Sequence, residues 1–122
     1  MGIYMKYLLL LIITASGTLL YQQQPRDHAP VSHYAELIER VKVGSVSQDE
    51  VKQGVKLLAE DFCNDDEFQQ TTGSNTQECL QKLASYDAMC TKRIFADAPQ
   101  DYEEKQQIAQ FAKRYTHCVD TL

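Results

Sequence analysis

NTQECLQKLASYDAMCTKRIF, residues 75–95, organises the rest of the chain. Asn75-Thr76-Gln77-Glu78 has the form of a helix start, with a short polar acceptor followed three positions later by Glu. Behind it Leu80, Leu83, Tyr86 or Asp87, Cys90 and Ile94 recur at helical spacing, which predicts one helix to about Phe95. Cys79 and Cys90 both lie on it. At about 100° per residue they share a face, but at a rise of about 1.5 Å their Cα atoms are about 16 Å apart. A disulfide needs about 7 Å or less. On a continuous helix these two cannot pair, so each must reach Cys63 or Cys118, and the helix is tied to its neighbours on both sides.

Two connectivities remain. If the next helix returns in a tight hairpin around residues 96–100, Cys79 stands 18 residues before Asp97 and Cys118 stands 18 after Gln100. The two come level, which favours Cys79–Cys118 with Cys63–Cys90. The rival, Cys63–Cys79 with Cys90–Cys118, requires a last helix displaced along its neighbour, or a broken one.

Working outward, Ser47-Gln48-Asp49-Glu50 is a capping box, and Val46 is placed to staple onto Val51. Val51, Val55, Leu58 and Phe62 give that helix its buried face. Gly54 within it costs about 1 kcal/mol relative to Ala. Upstream, Tyr34, Leu37, Ile38 and Val41 mark one face of a helix from Ser32 to Val43, with Gly44 at the position where a left-handed residue costs least. Downstream, Asp101-Tyr102-Glu103-Glu104 reads as a third capping box, or Pro99 as a first helical residue. Ile108, Phe111, Ala112, Tyr115 and Val119 then face inward. Thr71-Thr72-Gly73-Ser74-Asn75 is a loop by composition. No alternating strand stands out. The prediction is an all-α domain, a small bundle of about four helices stapled by two disulfides.

Residues 1–17 read as a signal peptide: Lys6, the apolar run Leu8–Ala15, then small residues before Thr18. Residues 18–30, with Gln22-Gln23-Gln24-Pro25, read as a linker, and 31–122 as the helical domain. The alternative is an uncleaved anchor, but the apolar run from Tyr7 to Tyr21 falls short of the roughly 20 residues a spanning helix needs. Four cysteines, an even count in a short exported chain, point to disulfides and an oxidising compartment, the periplasm or the outside. The formal net charge is −5, and becomes −6 without Lys6, the one charged side chain among the first 17 residues. An acidic balance argues against nucleic acid and suits a basic partner.

No motif for chemistry emerges. The cysteines contain no Cys-x-x-Cys pair, so neither a zinc site nor a thioredoxin-like site is indicated. A calcium loop counted from Asp61 would have Asp66 where Gly is needed and Thr72 where Glu is needed. No enzyme activity and no cofactor are expected. Asp65, Asp66, Glu67 and Phe68 set an aromatic beside three acids, either an anchor with a charged rim or a ring tucked into the core. Tyr86 is an outlying candidate contact.

The signal peptide, the helical body and the cysteines around QECLQKLASYDAMC resemble a periplasmic immunity protein of type VI secretion, of the kind that protects against a muramidase domain carried on an evolved valine-glycine-repeat spike. That resemblance implies a protein without activity of its own, which binds the catalytic domain of a cognate toxin and blocks its peptidoglycan cleft. Several members of the family act as homodimers. The competing readings are an envelope adaptor and a small-ligand carrier.

Overall fold

The computed structural model describes residues 29–121. The signal peptide and nearly all of the linker therefore lie outside the described residues. The described chain runs α1 (Tyr34–Val43), β1 (Val46–Ser47), α2 (Gln48–Cys63), α3 (Asp66–Thr72), α4 (Thr76–Ile94), β2 (Asp101–Tyr102) and α5 (Lys105–Thr121). It is an all-α bundle with two disulfides, as the sequence predicts, with one short helix and one two-stranded ribbon added.

Local signals place the helix starts. Ser47 Oγ accepts from Glu50 N at 3.2 Å, and the Glu50 carboxylate accepts from Ser47 N at 2.7 Å, completing the capping box. Val46 and Val51 are both fully buried, as a hydrophobic staple requires. Glu50 also takes the Arg40 guanidinium at 2.6 Å, which joins α1 to α2 and explains how a carboxylate can be buried there. At α4, Asn75 Oδ1 accepts from Glu78 N at 2.9 Å.

The core takes Leu37 from α1, Val51, Val55 and Ala59 from α2, Leu83 from α4, and Ile108, Ala112 and Tyr115 from α5. Gly54 sits where α1 and α2 meet. A Cβ there would fall 2.8 Å from Leu37 Cγ and closer still to Cδ1. The residue that weakens α2 as an isolated helix is thus what lets α1 approach.

Several expectations are corrected. Gly44 has φ 179°, extended rather than left-handed, because the chain passes directly into β1. Thr71-Thr72 is not loop but the end of α3, which Asp65 caps by accepting from Phe68 N at 3.1 Å and Gly73 closes at φ 73°. α5 begins neither at Pro99 nor behind an Asp101 cap. Instead Val46 pairs with Tyr102 and Ser47 with Asp101 in an antiparallel ribbon. Gln48 N extends it by donating to Gln100 O at 2.8 Å. Tyr102 is fully buried, edge-on to Phe111 with centroids 5.4 Å apart. Burying a ring of that size is worth about 2–3 kcal/mol, offset in part by the Tyr102 hydroxyl, which has no hydrogen-bond partner among the described residues, against about 1 for a cap. Burial pushes the Tyr102 phenol up to about 12. The cap passes to Gln107, whose Oε1 accepts from the backbone N–H groups of Glu103 and Glu104.

That detour sets the disulfides. The bonds are Cys63–Cys79 and Cys90–Cys118, with Cα separations of 5.3 and 5.8 Å. The favoured pairing of Cys79 with Cys118 and Cys63 with Cys90 is overturned, while Cys79 and Cys90 indeed stay apart on one helix. Because β2 is held on β1, α5 starts beyond the end of α4 and returns out of the simple hairpin register. Phe95 stacks on Phe111 at 5.4 Å, and Lys82 donates to the Asp120 carbonyl at 2.6 Å. The Cys79 end of α4 therefore overhangs the end of α5. Cys118 finds Cys90, and α2 supplies Cys63 to Cys79.

Candidate functional site

The loop after α2 folds back on itself. Asn64 ends α2, its N–H bonding Glu60 O, and one residue later Asp65 opens α3. This tight reversal lays Phe68 over Phe62, with centroids 5.2 Å apart and planes 23° from parallel. Both rings are more than a third exposed. Gln69 fastens the reversal from beneath, its Nε2 donating to Phe62 O at 2.9 Å and lying 3.5 Å from Cys79 Sγ. The Cys63–Cys79 bond anchors the other side.

The two rings form one wall of a groove of about 330 Å³. Ala59, Leu83, Val119 and the Cys63–Cys79 bridge line it, and Lys82, Lys113, His117 and Asp120 stand around it. It lies where α2, α3, α4 and α5 converge.

The structure brings Asp65, Asp66, Glu67 and Phe68 together on the first turn of α3. All four are exposed, and a helix N-terminus favours carboxylates there. None of the three acids lines the groove. Tyr86 is elsewhere: it is half-buried against the core, seven residues beyond Cys79, about 10 Å further along α4. Phe62, read as part of the buried face of α2, is instead on the surface. Phe62, Lys82, Lys113 and His117 were missed as a set. Helical periodicity places Phe62 on the inward face of α2, and nothing local signals that α3 leaves one edge of it open.

A second polar cluster joins three helices. Asp87 of α4 accepts from Tyr115 Oη at 2.6 Å and Thr91 Oγ1 at 3.2 Å, and pairs with Lys56 at 3.2 Å. Partial burial pushes the Asp87 carboxyl up, but the bonds from Tyr115, Lys56 and Thr91 outweigh it, and its pKa lies below the usual value. Burial and then the bond to Asp87 raise the Tyr115 phenol, so it remains a donor. A carboxyl depressed by folding stabilises in full above its unfolded value of about 4, and this is lost as pH falls through the folded value. Asp87→Asn should therefore cost about 1.5 kcal/mol at pH 7 and progressively less toward about pH 2, as the folded carboxylate takes up its proton. Urea midpoints at the two pH values check this; an equal deficit at both would remove the charge from the account.

Among the described residues, no group of three or more His, Cys, Asp or Glu is placed to hold a metal ion. No helix among them is long and apolar enough to cross a membrane. The two disulfides fit an oxidising, exported setting. Comparison with protein-family models, with curated proteins and with solved structures finds no match.

Proposed function

We propose that this chain is a periplasmic immunity protein, which binds a peptidoglycan-degrading effector of type VI secretion and blocks its active-site cleft. The observation that carries the reading is the exposed Phe62–Phe68 stack, held by the Cys63–Cys79 bond beside the exposed carboxylates of Asp65, Asp66 and Glu67. Paired aromatic rings at the surface of a small domain are costly to leave in water unless something covers them. Rings already fixed by a disulfide lose little freedom on docking. An aromatic with charged neighbours suits a sugar-binding cleft, where flat apolar faces alternate with polar groups.

Affinity purification of the tagged protein from the envelope, followed by a wall-hydrolysis assay, tests this. The expected result is a stoichiometric partner that digests peptidoglycan and is silenced by adding the protein back. A partner whose hydrolysis continues at saturation would overturn the reading. Phe68→Ala should weaken that complex by about 2 kcal/mol, close to thirtyfold in Kd by titration calorimetry. An unchanged Kd would take Phe68 out of the interface.

The groove itself favours one second reading, a small-ligand carrier. Native mass spectrometry of the exported protein would show the adduct that this reading requires.

A further inference from the structure

Beside the groove lies a shallower cleft of about 380 Å³, formed where the end of α4 meets α5. Arg93 enters it from α4, and Lys113, Arg114 and His117 from α5. All four are exposed, and no carboxylate lines the cleft. No ion pair within the described residues involves any of them. The Arg114 guanidinium lies 5.1 Å from the centre of the Phe111 ring, a cation–π contact that fixes it in place. Lys113 and His117 also border the groove, so cleft and groove form one surface along α5.

In a chain of net charge −5, this is a local inversion of sign. Whole-chain acidity suggests a basic partner; this surface suggests the opposite at the point of contact. We infer that the cleft and groove dock an acidic segment of a partner protein, its carboxylates on Arg93, Lys113 and Arg114 and one bulky apolar side chain against Phe62 and Phe68.

Charge range selects that class of partner. Nucleic acid or an anionic membrane presents charge over a wide area and would be repelled by the acidic remainder of the molecule. A short acidic segment responds mainly to charges within a Debye length of about 8 Å at physiological salt, and around the cleft and groove Lys82, Arg93, Lys113 and Arg114 outnumber Asp120. The groove, at about 330 Å³, is near the small end of binding pockets, which run from roughly 300 to 1,000 Å³, and so suits a single large side chain. The inference goes beyond the proposed function, since it holds whether or not the partner degrades the wall.

Fluorescence anisotropy of the exported protein tests it with a labelled peptide of Glu and Asp residues around one Trp. The expected result is saturable binding that weakens about tenfold when Lys113→Glu and Arg114→Glu are combined, and again about tenfold when the peptide Trp becomes Ala. Arg93→Glu, on the other helix, gives an independent loss should the double variant prove unfolded by circular dichroism. Three results would overturn the inference: equal binding of the Lys-for-Glu peptide, binding indifferent to all these charge reversals, or binding to phosphatidylglycerol vesicles with none to the peptide. Pull-down of a wall hydrolase can succeed while the peptide fails, so the two proposals fall separately.

Discussion

Gly54→Val is expected to destabilise the protein by about 3 kcal/mol, although valine is the better helix former at that position. Taken as helix propensity alone, even Gly54→Ala would be worth about 1 kcal/mol of added stability. The packing reverses the sign. A Cβ at position 54 meets Leu37 Cγ at 2.8 Å, and Leu37 is fully buried among the core side chains. Either α1 moves away from α2 or Leu37 leaves its rotamer, and overpacking of this kind costs about 1–3 kcal/mol. The two γ-methyls of valine bring the cost to the top of that range. Leu37→Ala in the same chain should recover part of the loss, a coupling that a double-mutant cycle reads directly. A higher urea midpoint for Gly54→Ala would mean that the two helices do not approach this closely.

Removing the Cys90–Cys118 bond by alanine at both positions should cost about 3.5 kcal/mol, and removing Cys63–Cys79 about 3, the longer loop losing more. For a domain of this size, 3.5 kcal/mol is roughly 15–25 °C in Tm. The two losses should differ in kind. Cys90–Cys118 joins α4 to α5 in the core, and its loss lowers the whole transition. Cys63–Cys79 holds the Phe62–Phe68 reversal, so its loss should also free α3 and weaken partner binding. Scanning calorimetry with and without reductant measures the first effect, and amide exchange of residues 64–74 the second. Peptide mapping without reductant should recover Cys63 linked to Cys79 and Cys90 linked to Cys118. A Cys63–Cys90 peptide would contradict the fold.

Much of the bundle was legible before any coordinates. Ser47 with Glu50, and Asn75 with Glu78, are three residues apart, and a cap completed within one turn needs nothing from the rest of the molecule. The third such motif, at Asp101, failed for a reason of equal clarity. A partner 56 residues away, Val46, offered Tyr102 a buried place in a ribbon, and burial of the ring outweighs a cap. For the candidate site, Phe68 and its acids were visible as a run of four residues. Phe62 was visible only as an apolar residue at a helical position, and Arg93, Lys113, Arg114 and His117 had no reason in spacing to be grouped.

Helix class, the separation of Cys79 from Cys90 and the acid-flanked Phe68 follow from intervals of a few residues along the chain, where a rise of about 1.5 Å per residue fixes geometry in advance. The closeness of α1 to α2 at Gly54 rests on the packing of Leu37, and the disulfide partners and the basic cleft depend on how α5 lies along α4. That register is set by a two-residue ribbon and the buried Tyr102, contacts between segments more than fifty residues apart. Non-local contacts are chosen by the packing of the whole core, and no local pattern encodes them.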